Sequence, residues 1–417
     1  MRGGDGRGFH RPHPGRLRVM RGLIERLVAF ARHHLHRRQP EAAPPAPRTR
    51  GPVDHVLLLD GTLGALDPAR ITSIGLIWRF LRRRVPRASI YYGKGLQFRE
   101  WRDLTDVWFG WGVNAQIRRA YGWLAMRYRP GDRIFVIGYS RGAFAARSLA
   151  GMIERVGLLR PEEATERNVT LAWRHYEGVL SPEAFRHAHC HAETAIEMVG
   201  AFDTVRALGV QFPLLWMLSE PRYRFHDHRL GPSVRHGFHA LALHETRSVL
   251  EPLLWASENT GAARIEQVWF RGCHGDIGGQ LGVFEASRPL ANIPLVWMLH
   301  RAAELGLALP EGWEDAFPTD PLAPSVGSWS SWGKLFWLRA PRVIGRDPSE
   351  SVHDTAFIAG REWWLTIRPW LAEKGARIRR LGKRRSVRLA HDEAGGGADG
   401  IEPVVVHAAD LAPRDPG

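Results

Sequence analysis

Apolar runs of six to eight residues recur along the first two thirds of the chain, each ending in small or polar residues. DHVLLLD (54–60), RASIYY (87–92), RIFVIG (133–138), AIEMVGAF (195–202) and IEQVWFRG (265–272) are too short for helices and rich in Val, Ile, Leu, Phe or Tyr. They predict strands, buried on both faces where the run is unbroken. Between them, apolar residues spaced three and four apart predict helices over about 69–84, 113–128, 142–156, 236–250 and 290–305. Strands alternating with helices place the body in the α/β class, with a mostly parallel sheet and helices on both faces.

The flanks lack this alternation. Residues 1–16 are rich in Gly, Pro and Arg and are expected to be disordered. Leu17 to Leu35 sets Leu23, Ile24, Leu27, Val28 and Phe30 among arginines, an amphipathic helical pattern, and QPEAAPPAPRTRGP (39–52) reads as a linker. Beyond about residue 310 come Pro-punctuated, Trp-rich stretches, SWSSWGKLFWLRAP (328–341) and REWWLTIRPW (361–370). The expected organisation is a basic tail with helix and linker (1–52), a catalytic domain (53–310), a Trp-rich cap or wrapping region (311–373) and a basic, flexible C-terminal tail (374–417).

A net charge of +15 invites a nucleic-acid reading, so its location matters. Residues 1–50 hold twelve Arg against Asp5, Glu25 and Glu41, and residues 374–389 hold eight Lys or Arg and no acid. These two stretches carry the whole excess, which leaves the body close to neutral and without polyanion-binding character. No nucleic-acid partner is expected; an anionic membrane surface met by the tails is. Two cysteines, Cys190 and Cys273, argue against a disulfide framework and fit a reducing compartment. Neither a run of about 18 apolar residues nor a secretory signal is evident, so a cytoplasmic, peripherally membrane-associated protein is expected.

The candidate chemistry lies where strands end, because functional groups in α/β sheets gather at the carboxyl ends of the strands. Asp60-Gly61-Thr62 follows the first run, Gly138-Tyr139-Ser140-Arg141-Gly142 the third, Asp203-Thr204-Val205 the fourth and Gly272-Cys273-His274-Gly275-Asp276 the fifth. Gly-x-Ser-x-Gly alone is short enough to arise by chance. A serine, an acid and a histidine at three separate strand ends, in that order, are the arrangement of an α/β-hydrolase-like fold. Ser140 would be the nucleophile, His274 the base that takes its proton, and Asp203 the acid that orients the imidazole. Gly138 and Gly142 would permit the tight turn. The Arg141 N–H, with Gly61 or Thr62, would form the oxyanion hole.

Alternatives remain at this level. Asp203 suits a helix N-cap, and Asp276 suits the acid's place or a loop-orienting one. Asp60, His274 and Asp276 together suit a metal. DGTL (60–63) also ends the opening motif of aspartate-nucleophile phosphatases, but Leu58 stands where their nucleophile belongs. HAHCHAE (187–193) crowds His187, His189, Cys190 and His191 onto one short stretch, a spacing that suits a solvated helix face better than a single ion.

The segments LLLDGT, YYGKG, GYSRGAFAARSLAGMI, FDTVRALG, RHGFHALALHETRSVLEPLLW and QVWFRGCHGDIGG, in that order, resemble the α/β-hydrolase domain of bacterial type VI secretion phospholipase effectors and their uncharacterised relatives, over roughly residues 53–300. The resemblance implies a Ser–Asp–His triad, carried here by Ser140, Asp203 and His274, no cofactor, and hydrolysis of carboxylic esters, typically in phospholipids. Two positions depart from the family pattern: Leu63-Gly64 where an Asn is usual, and His244 where an acid is usual. A lipid or ester substrate is therefore expected. A non-catalytic docking scaffold and a metal-assisted hydrolase are the competing readings, and effector and housekeeping roles both stay open.

Overall fold

The structure is a computed structural model. It describes residues 51–95, 111–205, 229–257, 264–329, 338–357 and 404–406. The chain divides after Gly51 into two units, and the architecture below is that of the second. The amphipathic pattern of 17–35, most of the Pro-rich linker, all of REWWLTIRPW and the basic run 374–389 lie outside the described residues.

Among the described residues, eight strands form one sheet in the order β2-β1-β3-β4-β5-β6-β7-β8, every neighbouring pair parallel. The strands are β1 (Asp54–Leu59), β2 (Ser89–Gly93), β3 (Arg133–Tyr139), β4 (Ile196–Phe202), β5 (Val234–Ala242), β6 (Arg264–Phe270), β7 (Glu350–His353) and β8 (Val404–Val406). Successive side chains of a strand face opposite ways, and each face finds a separate core. Leu57, Leu59, Val136 and Val199 pack under α2 (Trp111–Ala125), α3 (Arg141–Val156) and α4 (Glu166–Tyr176). Val56, Leu58, Phe135 and Ile137 pack under α1 (Ser73–Arg84) and α7 (Arg288–Glu304). Among the described residues between α4 and α7 are the short helices α5 (Glu183–His189) and α6 (His274–Gly278).

Residues 236–250 do not form the predicted helix. Val234–Ala242 is β5, bonded on both sides, followed by loop and a single 3-10 turn at Ser248–Leu250. The Ala- and Leu-rich run is buried on both faces, and such a strand loses the alternation that would distinguish it from a helix. β7 and β8 lie in the part of the chain where no strand was expected.

Two glycines set how closely the layers meet. A Cβ at Gly142 would collide with the carbonyl oxygen of Leu59, and one at Gly138 with that of Gly142. The first turn of α3 can therefore lie directly against the end of β1. The strand order reverses at β1, and in open α/β sheets the crevice beside such a reversal is where ligands bind. The Gly61 loop and the Ser140 turn flank that crevice. Among the described residues, no helix is long and apolar enough to cross a membrane.

Candidate active site

Ser140 sits between β3 and α3 with φ 55° and ψ −120°. Among the described residues, the non-glycines with positive φ are Leu63, Ser140 and Asp203. They follow β1, β3 and β4, so the strained positions share one end of the sheet. Such backbone costs about 1–3 kcal/mol each and persists where surrounding contacts enforce it. The Ser140 N–H bonds to the Phe202 carbonyl at 2.9 Å, and the Asp203 N–H to the Ala240 carbonyl at 2.8 Å. The strand ladder itself thus holds both turns.

The three predicted residues meet. His274 Nε2 lies 2.9 Å from Ser140 Oγ, and its Nδ1 lies 2.6 Å from Asp203 Oδ2. Ser140 and His274 are nearly buried and Asp203 fully so. Burial alone would raise the Asp203 carboxyl, but the Arg342 charge and the bonds from His274 and Arg342 outweigh it and hold the acid well below the usual carboxylate range. An ionised Asp203 assigns the Nδ1 proton to His274, which leaves Nε2 to accept the Ser140 hydroxyl.

The imidazole is held from several sides. The Tyr139 ring lies against it with centroids 4.9 Å apart, and the Tyr139 hydroxyl donates to the His274 carbonyl at 3.2 Å. The His274 N–H donates to Glu245 Oε2 at 3.1 Å, and Arg247 pairs with the same carboxylate at 2.6 Å. Burial pushes Glu245 up, but the Arg247 bonds and charge bring it below its ordinary value. Past Asp203, the Thr204 N–H donates to His239 Nε2 at 3.0 Å. Burial lowers His239 to about 3, so this ring accepts as a neutral base.

The two other acids lie elsewhere. Asp276 accepts from the Cys273 N–H (2.8 Å), Ser325 Oγ (2.5 Å) and the Val326 N–H (2.9 Å), which tie the His274 turn to the 325–326 segment. Asp60 accepts from Thr72 Oγ1 at 2.9 Å, the Tyr92 hydroxyl at 2.7 Å and the Gly61 N–H at 2.8 Å. Burial raises its carboxyl to about 6, against the lowering effect of those bonds. Among the described residues no three His, Cys, Asp or Glu side chains are grouped to hold a metal. His187, His189, Cys190 and His191 diverge: His189 pairs with Glu163 at 2.9 Å, the Cys190 thiol is buried, and His191 packs edge-on to Tyr128.

The Gly61 N–H is committed to Asp60, which distinguishes it from Thr62. The Thr62 carbonyl accepts from Gln280 Nε2 at 2.8 Å, and Gln280 Oε1 accepts from the Tyr139 hydroxyl at 3.2 Å. That chain anchors Thr62 beside the His274 turn, while its buried Oγ1 has no hydrogen-bond partner among the described residues. The Arg141 N–H opens α3, where backbone donors have no intrahelical acceptor. The half-buried Arg141 guanidinium has no hydrogen bond or ion pair among the described residues, and burial lowers it to about 10.

One residue of this site carried no signal in the sequence. Arg342 forks onto Asp203, with Nη1 2.5 Å from Oδ1 and Nη2 2.9 Å from Oδ2. It lies 139 residues from its partner in a Pro-rich stretch without periodicity.

A family model for the catalytic domain of Tle1-like phospholipase effectors of type VI secretion matches residues 54–301. An uncharacterized protein of Saccharomyces cerevisiae is 32% identical over a stretch covering 37% of this chain and 27% of that protein. Two solved structures are more distant. An uncharacterized protein from Pseudomonas aeruginosa matches 65% of this chain and 49% of its own at 16% identity and a TM-score of 0.38. The Tle1 effector bound to the VgrG spike of the type VI secretion system matches 56% and 52% at 16% identity and a TM-score of 0.32. The chain thus spans about a quarter of the curated relative and about half of each solved neighbour.

Proposed function

Because the chain belongs to the Tle1-like phospholipase effector catalytic-domain family, we propose that it is a lipid hydrolase cleaving acyl esters, with Ser140 as nucleophile, His274 as base and Asp203 as the orienting acid. The observation that carries this reading is the unbroken hydrogen-bonded chain Ser140–His274–Asp203 among buried side chains. The Ser140 hydroxyl proton passes to His274 Nε2 as Oγ attacks the ester carbonyl carbon. The N–H groups of Arg141 and Thr62 hold the resulting oxyanion. His274 then returns the proton to the departing alcohol, leaving an acyl-serine. Water, activated by the same imidazole, attacks the acyl carbon, and Ser140 recovers its proton.

The Arg141 guanidinium favours a phospholipid over a neutral ester. A half-buried guanidinium beside the serine turn is strengthened as a hydrogen-bond donor to an anion, and a phosphate close to the scissile acyl group supplies one. The positive charge of residues 1–50 and 374–389 supports contact with an anionic bilayer, each basic residue near the surface contributing about 1 kcal/mol.

A fluorophosphonate probe and a panel of soluble esters and phospholipids test the reading. Ser140→Ala is expected to lose labelling and several orders of magnitude in turnover while remaining folded. Equal labelling, or retained turnover, would remove Ser140 from the chemistry.

A further inference from the structure

The residues that match the family model end at 301, yet the carboxylate on His274 is completed by a side chain beyond them. After α7 the chain returns across the carboxyl end of β5. The Ser248 N–H donates to the Leu338 carbonyl at 3.0 Å and the Ala340 N–H to the Thr246 carbonyl at 2.8 Å, with Arg247 and Arg339 bridged between them. This crossing delivers Arg342 to Asp203. Nη1 also donates to the Ala242 carbonyl at 3.0 Å and Nη2 to the Leu250 carbonyl at 2.5 Å. The side chains of Arg342 and Asp203 are 4% and 0% exposed, so this pair is screened very little by water.

Every acceptor site on Asp203 is occupied. Oδ1 takes the Ala242 N–H at 3.0 Å and Arg342 Nη1; Oδ2 takes His274 Nδ1 and Arg342 Nη2. Rotation of the carboxylate away from the imidazole would break both arms of the fork. The fork also brings a permanent positive charge to within one carboxylate of His274. A lone carboxylate draws a proton onto the imidazole; a carboxylate already paired with a guanidinium draws it less. The other groups that face the imidazole and its acid are Tyr139, the Glu245–Arg247 pair, Cys273, Asp276 and, beyond Thr204, His239. Glu245 is itself neutralised by Arg247. Asp276 bonds to backbone and Ser325, away from the imidazole nitrogens.

We propose that Arg342 is a positioning residue of the hydrolytic site, fixing Asp203 on His274 through both carboxylate oxygens and offsetting the charge that the acid presents to the imidazole. The proposal rests on the serine-hydrolase reading above. It makes the crossing segment part of the working site, although it lies outside the residues that define the family match.

The test is the pH profile of kcat/KM for a soluble ester, measured on the full chain. In Arg342→Met the acid limb, which reports protonation of the base, is expected to move to higher pH by about 1–2 units. In Arg342→Lys the charge stays but the fork is lost. Its acid limb is expected to hold the wild-type position while kcat falls about tenfold, the loss of roughly one charge-assisted hydrogen bond. A folded Arg342→Met enzyme with an unmoved limb overturns the proposal. Should the Met variant fail to fold, the Lys variant decides: a displaced limb or a wild-type kcat overturns it equally. Probe labelling and Ser140→Ala, run alongside, separate the two levels. Hydrolysis that survives Ser140→Ala removes the underlying reading, whereas a Ser140-dependent enzyme with an unmoved limb refutes Arg342 alone.

Discussion

Two carboxylates near His274 differ in what they touch, and that difference predicts unequal roles. Asp203 bonds to the imidazole, whereas Asp276 bonds to the backbone of its own turn and to Ser325 and Val326. Asp203→Asn would present an amide to Nδ1 and favour the wrong tautomer, so kcat should fall by about 10⁴. Asp276→Asn keeps an acceptor on the turn and should lower kcat far less; steady-state kinetics on both variants check the order, and its reversal would move the acid to Asp276. Arg141 offers a second test at this scale. A hydrogen bond to a charged group is worth about 1.5–3 kcal/mol, equivalent to about 10- to 100-fold in kcat/KM. Arg141→Met should lose that factor on an anionic phospholipid and leave a neutral soluble ester within about twofold. Equal losses on both substrates would mean that the guanidinium does not read phosphate.

At the scale of elements, the loop after β1 is organised by one acid. Asp60 gathers Thr72 from the start of α1, Tyr92 from β2 and the N–H of Gly61, which shapes the turn that presents Thr62. Its carboxyl is raised from 3.8 to about 6, chiefly by burial. A raised folded-state value means that the native state binds the proton more tightly than the unfolded chain does. The resulting stabilisation is complete below about pH 4 and is lost as pH rises through 6, a change of about 3 kcal/mol. Asp60→Asn keeps the shape without the charge. It should therefore raise Tm relative to wild type above pH 6, with the difference vanishing below pH 4. Calorimetry across that window tests it; a Tm difference independent of pH would show that the carboxyl ionises without penalty.

For the whole molecule, the near-neutral body and the two basic stretches predict separable properties. Deleting residues 1–50 removes twelve arginines but none of the residues assigned to the site. Hydrolysis of soluble esters should be nearly unchanged. Sedimentation with anionic liposomes should drop, and the gap between truncated and full chains should narrow at high salt, where surface charges are screened. A truncated chain that pellets equally well would shift the membrane contact elsewhere. Trp329, 62% exposed and capped by the Arg339 guanidinium, is then the first residue to substitute. Trp332, Trp337, Trp363 and Trp364 of the Trp-rich stretches lie outside the described residues, whereas Trp255, Trp269 and Trp297 are core.

Much of this protein was written in short range. The unbroken apolar runs at β1, β3 and β4 declared strands without any knowledge of the fold, because a buried strand needs apolar side chains on both faces. What followed β3, β4 and β6 nominated Ser140, Asp203 and His274, since parallel sheets bring their carboxyl ends together whatever the strand order. Local pattern failed where two structures demand the same composition, as at β5, where burial on both faces erased the alternation. It also failed where a role depends on a hydrogen bond that the chain makes to itself. Gly61 and Thr62 looked equivalent until Asp60 was seen to occupy the Gly61 N–H. Arg342 lay furthest from reach: a guanidinium in an aperiodic stretch has no partner until the chain has crossed back over β5. A contact across 139 residues is set by topology, and only the folded sheet brings Arg342 to Asp203.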